Sequence, residues 1–200
     1  MEVEAIWARI EAWLRFHAPD ELENVRPPAS NRSINRLEDA TGLRLPPDME
    51  RSYKVHDGFW VSLFLFGEIH GGHLMTLQAI ESDWLRLRTV SAECGFTTMT
   101  AEPAGPIKPQ HWNLGWLPIT DPGNGNCFCV DLDPAPGGAV GQVIWFDRVD
   151  GPVRVVANGF ADWLEQYASG LETGRIVCHP TEGFIRSTDA EPNAAADPAS

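Results

Sequence analysis

Three aspartates, Asp121, Asp131 and Asp133, fall within thirteen positions of one another, and the last two are spaced to share one face of an extended strand. An Asp-x-Asp pair of this kind can hold Mg²⁺ or Mn²⁺ against a phosphate, because hard cations take oxygen ligands. The competing reading is turn chemistry. Asp121 and Asp133 each precede a proline, and carboxylates in such positions accept backbone amides. No phosphate-cradling loop or basic clamp accompanies the pair, so turn building is preferred and a divalent-metal-dependent transferase using Asp131 and Asp133 stands only as an alternative. Cys127 and Cys129 share a strand face opposite Phe128, Val130 and Leu132. Zinc needs about four ligands and no second knuckle is supplied, so the pair is read as small buried hydrophobes and no metal is expected. His56 beside Asp57 could give an oriented imidazole, and His70 and His73 bracket two glycines. The chain has no G-x-S-x-G elbow, H-E-x-x-H helix or G-x-x-x-x-G-K-[ST] loop to complete such a site. Neither a catalytic residue nor a cofactor is expected.

The elements that would position these residues follow from periodicity and punctuation. Val3, Ile6, Trp7, Ile10 and Leu14 recur at helical spacing and predict an amphipathic helix over the first sixteen or so residues. Pro19 and Pro27-Pro28 mark a loop. A second helix starts at Ser30, presents Ile34, Leu37 and Ala40, and stops at Gly42. A third has Pro46 and Pro47 in its first turn, Met49 and Tyr53 on one face, and Gly58 as its end. Phe59 to Phe66 reads as a buried strand, Gly67 and Gly71-Gly72 as turn residues, and His73 to Thr76 as a brief strand. Leu77, Ile80, Trp84 and Leu87 define a helix running to Gly95. Phe96 to Asn113, with three prolines and little periodicity, reads as a long surface loop. Strands at Trp116–Thr120, Asn126–Leu132, Val140–Phe146 and Val153–Ala157 are too closely spaced for crossovers and must pair antiparallel. Phe160, Trp163, Leu164 and Tyr167 form a last helix, capped by Asn158 and ended by Gly170. The expected fold is a single α+β domain over residues 1–186, an antiparallel or mixed sheet packed with helices, and a disordered tail at 187–200. Trp7, Trp13, Trp84 and Trp163 lie on helix stripes and are read as core, while Trp60, Trp112, Trp116 and Trp145 remain open between core and surface.

Charge then bears on partners. Among 200 residues, 28 acidic and 15 basic side chains give a net charge of −13, which argues against attachment to nucleic acid or anionic lipid. Residues 121–165 carry seven acidic and two basic side chains, a net −5, against a net −3 over the longer span 1–60. No run approaches the roughly 20 apolar residues of a membrane helix, the N-terminus is acidic where an export signal would be basic, and four sparse cysteines suit a reducing compartment. A cytoplasmic protein is expected.

The order of landmarks resembles the SMI1/KNR4 family of the SUKH superfamily. The likeness runs through Ile34 to Glu38 leading to Gly42-Leu43-Arg44-Leu45-Pro46, then Tyr53-Lys54-Val55-His56-Asp57-Gly58, then Trp116-Leu117-Pro118-Ile119 with Asp121, Gly123 and Gly125. Cys129-Val130-Asp131-Leu132-Asp133-Pro134, Gly141-Gln142-Val143-Ile144 and Phe160-Ala161-Asp162-Trp163-Leu164 follow in order within residues 30–168. The resemblance implies a compact α+β domain that binds other proteins and brings no catalytic residues. Many bacterial members of the family are immunity proteins that neutralise a secreted toxin, often a nuclease, while fungal relatives are regulators linked to cell-wall synthesis.

From the resemblance and the acidic balance, the expectation is a cytoplasmic immunity protein that neutralises a cognate basic toxin, with no direct contact to nucleic acid or membrane. The alternative is a regulatory or scaffold protein of the same fold not paired with a toxin. The candidate toxin contacts are Trp116, Asp121, Asp131, Asp133, Trp145, Asp147 and Asp150, with tryptophans as anchors and carboxylates as steering charge.

Overall fold

The amphipathic stripe at the N-terminus folds as helix α1 (Val3–His17), and Val3, Ile6, Trp7, Ile10 and Leu14 are all fully buried. The structure is a computed structural model that describes residues 2–60, 72–179 and 183–186. A four-residue helix, α2 (Pro19–Leu22), occupies the first part of the expected loop. Helix α3 (Asn31–Thr41) is capped by Ser30, whose hydroxyl accepts from the Ser33 amide at 3.1 Å, and ends at Gly42 in the left-handed conformation. Helix α4 (Pro47–Val55) buries Met49 and Tyr53 as expected. It ends three residues before Gly58, because His56 turns extended and Pro46 stands outside as the N-cap. Of the strand expected at Phe59–Phe66, Phe59 bridges Val25 antiparallel, and residues 61–66 lie outside the described residues, as do Gly67, His70 and Gly71.

Strand β1 (His73–Leu74) leads into α5 (Leu77–Cys94), capped by Thr76 and closed by Gly95 at φ +70°. The remaining strands are β2 (Trp116–Pro118), β3 (Thr120–Asp121), β4 (Cys127–Asp131), β5 (Gln142–Asp147) and β6 (Gly151–Ala157). They form a four-stranded antiparallel sheet in the order β2-β4-β5-β6, while β3 pairs with β1. Two register shifts between β5 and β6 mark bulges. The chain is thus an α+β domain with mixed helices and antiparallel strands.

All five residues of β4 and five of the six in β5 are buried, which a sheet achieves only when both faces are covered. Leu117, Phe128, Val130, Val143 and Trp145 face the helices in the main core. Trp116, Cys127, Cys129, Ile144 and Phe146 face the other way, and a second core closes over them with Ile107 and Trp112. The segment 96–113, expected as surface loop, therefore lies down on the sheet, with Ala101, Ile107, His111, Trp112 and Asn113 buried. The cause is the apolar outer face, where each large side chain hidden from water gains about 1.5–3 kcal/mol.

Helix α6 (Phe160–Glu172) packs against α1 and α4. It does not end at Gly170, which lies inside the helix where a Cβ would come within 2.7 Å of Ile176 Cδ1. Asn158 is not its cap either. The N-cap is Gly159, without a side-chain bond, and Asp48 from α4 supplies the acceptor, its Oδ2 taking the Ala161 amide at 2.9 Å. A hairpin of β7 (Ile176–His179) and β8 (Gly183–Arg186) follows, absent from the sequence reading because its four-residue strands carry too short a pattern. The tail expected to be disordered, 187–200, lies outside the described residues. Because Asp48 caps a helix 113 residues away, Asp48→Ala is expected to lower stability by about 1 kcal/mol. The urea midpoint should fall with an unchanged slope, and an unaltered midpoint would show that α6 begins equally well without this cap.

Candidate functional site

The carboxylates singled out by spacing sit at opposite ends of the sheet. At one end, Asp131 pairs with Trp116 across β2–β4 and with Gln142 across β4–β5, and its side chain is fully buried. Oδ1 accepts from Trp116 Nε1 at 3.0 Å and from the Asp133 amide at 3.0 Å, while Oδ2 accepts from Gln142 Nε2 at 2.8 Å. Gln142 Nε2 also donates to the Pro106 carbonyl, and its Oε1 takes the Ala139 amide. Burial pushes the Asp131 carboxyl above its ordinary value, against the pull of these donors. Asp133 is different. Its Oδ1 accepts from Lys108 Nζ at 2.6 Å and its Oδ2 from Asn113 Nδ2 at 3.0 Å, and these partners hold it below the usual range. The two side chains do not converge on a shared space: Asp131 ties strands together, and Asp133 ties down the last part of the covering segment through Lys108 and Asn113.

Asp121, Asp147 and Asp150 lie at the other end. Asp121 Oδ1 accepts the Gly123 amide at 2.7 Å, and Asp147 Oδ1 accepts the amides of Val149 and Asp150 at 2.7 and 3.2 Å. The turns that carry them meet, since Asn126 Oδ1 takes the Arg148 amide and Arg148 packs on Gly125. The Asp121 and Asp147 carboxylates build these turns; Asp121 and Asp150 are exposed and Asp147 is half-buried. His73 pairs with Asp121 in the β1–β3 ladder, and burial lowers its pKa.

Both tryptophans proposed as anchors are interior. Trp116 is fully buried in the second core, 5.8 Å from the Trp112 ring and edge-on to it, and Trp145 packs against Phe128 at 4.9 Å in the main core. With Asp131 they are removed from any contact surface, because a sheet covered on both faces leaves no outward side to β2, β4 or β5. Cys127 and Cys129 are buried with their sulfurs 3.5 Å apart, and burial pushes the Cys129 thiol up. His56 faces the Arg26 carbonyl through Nδ1 at 2.9 Å and Glu11 through Nε2 at 2.8 Å, while Asp57 accepts the Leu77 amide. The suggested dyad therefore points its members in different directions. Lys108, Asn113 and Gln142 escaped the sequence reading. They lie 25, 20 and 11 residues from their carboxylates, and no local spacing signals such pairs. Among the described residues, no group of three or more His, Cys, Asp or Glu is arranged to hold a metal, and no helix is long and apolar enough to cross a membrane.

An antiparallel sheet between helices and a packed covering segment, with Asp131 and Asp133 engaged in its own strands and loops, defines an α+β domain without a converging reactive site among the described residues. The chain belongs to the SMI1/KNR4 family (SUKH-1), whose model matches residues 28–166. It is 26% identical over 196 residues to the cell wall biosynthesis/cell cycle regulator smi1 of Schizosaccharomyces pombe, covering 92% of this chain and 39% of that protein. The glucan synthesis regulatory protein of Neurospora crassa is 24% identical, covering 86% of this chain and 39% of that protein. The cell wall assembly regulator SMI1 of Saccharomyces cerevisiae is also 24% identical, covering 84% and 40%. The chain spans about two-fifths of the length of these relatives. All three are named as regulators, and all are fungal. That overturns the expectation of an immunity protein paired with a basic toxin; the resemblance was to the right family and the toxin role to the wrong branch of it.

Asp131→Asn is expected to cost about 1–3 kcal/mol, since the amide would turn a donor toward either Gln142 Nε2 or the Trp116 and Asp133 N–H groups. Undiminished stability in urea would mean the network can invert. Asp133, with its side chain 47% exposed, should contribute under about 1 kcal/mol. Its folded pKa is depressed, so that contribution is present above the ordinary 3.8 and is lost as pH falls through the lower folded value. Asp131 has the opposite sign, its raised folded pKa removing stability as pH rises from 3.8 upward. In thiol labelling, exposed Cys94 should react in the native protein, and Cys127 and Cys129 only after denaturation. Fast native labelling of either buried thiol would show that segment 96–113 opens.

Proposed function

We propose that this chain is a non-catalytic regulatory domain that acts in the cytoplasm by binding other proteins, in the control of cell-wall or glucan synthesis for which its relatives are named. The observation that carries the reading is the match to named regulators over 84–92% of the chain. The site geometry supports it. Asp131 and Asp133, the pair a metal-dependent transferase would need, are already held by Trp116, Gln142, Lys108 and Asn113.

The working unit extends beyond the matched 28–166 to include residues 1–186. Support comes from the buried stripe of α1, from Arg9 bridging to Glu165 and Glu172 on α6 at 2.6 Å each, and from Ile176 packed on Gly170. Of the former contact candidates, Asp121, Asp147 and Asp150 at one end of the sheet and the half-exposed Asp133 at the other remain available as partner-steering charge.

A chimera tests the reading. When the aligned segment of the Saccharomyces cerevisiae cell wall assembly regulator is replaced by this chain, growth of a strain lacking that regulator on a cell-wall-binding dye is expected to be restored. A chimera that accumulates to normal levels and gives no protection would remove the proposal.

A further inference from the structure

Six of the eight tryptophans are buried and Trp13 is partly buried, but Trp60 is 57% exposed. The Arg26 guanidinium lies over its ring, 3.8 Å from the centroid. Arg26 makes no side-chain hydrogen bond or ion pair among the described residues, and its Nε–H is buried without an acceptor. An arginine in a chain with 28 carboxylates would ordinarily find one. Glu11 is bonded to His56 and Glu21 to the Asn24 amide group, while Asp57 accepts the Leu77 amide and feels the Arg26 charge, which partly offsets the upward push of burial on its carboxyl, without forming an ion pair with it.

The platform under the pair is rigid. Val25 and Phe59 form an antiparallel bridge, the Arg26 amide donates to the Gly58 carbonyl at 3.0 Å, and the Trp60 amide donates to the Asn24 carbonyl at 2.9 Å. His56 holds the Arg26 carbonyl from below, and Trp7 packs edge-on against His56 at 4.9 Å. Gly58 is required here, since at φ +68° a Cβ would lie 2.5 Å from the Met75 carbonyl oxygen. The backbone that carries both residues is therefore held in place by its own hydrogen bonds, which lowers the entropic cost of binding.

We infer that the stacked Arg26–Trp60 pair is a docking point for an acidic, partly apolar segment of a partner protein. The guanidinium offers planar donors that match a carboxylate fork, and the exposed indole offers an apolar surface beside it. A basic segment fits poorly, because Arg26 already occupies one face of the ring and would repel a second cation. This rests on the protein-binding reading above and names a surface for it, separate from the acidic turns at Asp121, Asp147 and Asp150.

The test is a selection from a random displayed-peptide library on the full chain, followed by fluorescence anisotropy of the enriched peptides with wild type, Arg26→Gln and Trp60→Ala. The expected result is enrichment of peptides with Asp or Glu next to a large apolar residue, and a loss of affinity of about tenfold or more in each variant. Arg26→Gln gives up no described side-chain hydrogen bond, so it stays informative if Trp60→Ala alters folding. Enriched peptides that are basic, or that bind both variants as tightly as wild type, overturn this surface while leaving the protein-binding reading intact. No enrichment at all overturns it as well, and the dye-resistance chimera then decides the wider reading separately.

Discussion

The buried carboxylate of Asp131 is the constraint around which one end of the molecule is arranged. A carboxylate taken out of water is costly unless its oxygens are occupied, and here two side-chain donors and one backbone amide occupy them. Each donor has a structural consequence. Trp116 must turn its indole inward, and that places it in the second core against Trp112. Gln142 must stand at the start of β5, where it also reaches the Pro106 carbonyl and so draws the covering segment to the sheet. The Asp133 amide fixes the turn that presents its own carboxylate to Lys108 and Asn113. Sheet, turn and covering segment are thereby linked through one charged group.

That arrangement separates interior chemistry from surface chemistry. Residue types that suggest a reactive site, such as Asp-x-Asp, Cys-x-Cys and a buried tryptophan, are used in packing a sheet covered on both faces. What faces outward is of another kind: acidic turns at one end, and a cation stacked on an indole beside α4. Surfaces of this sort suit recognition, and recognition is consistent with relatives named as regulators in which a domain like this one makes up about two-fifths of the chain.

Much of the fold was legible because it is encoded locally. The α1 stripe, the Ser30 and Thr76 caps, the Gly42 and Gly95 stops and the antiparallel meander all follow from spacing within a few residues. The errors share a cause. Gly170 reads as a helix stop until Ile176 is seen against it, and Asn158 reads as a cap until Asp48 arrives from another helix. Segment 96–113 reads as surface until an apolar sheet face is found beneath it. Each required a partner far away in the chain. The functional branch was misjudged for a related reason, since net charge is a property of the whole chain and says little about which surface meets a partner.

The amino-acid sequence alone determined most of the longer helices and the central strands, the family, and the exclusion of the familiar catalytic motifs, because those depend on residue type and short-range period. Only the tertiary structure decided which of the suggestive residues are reachable. It turned Trp116, Trp145 and Asp131 inward and left Trp60 outside under Arg26. The physical reason is that accessibility depends on what covers a residue, and the covering groups come from anywhere in the chain.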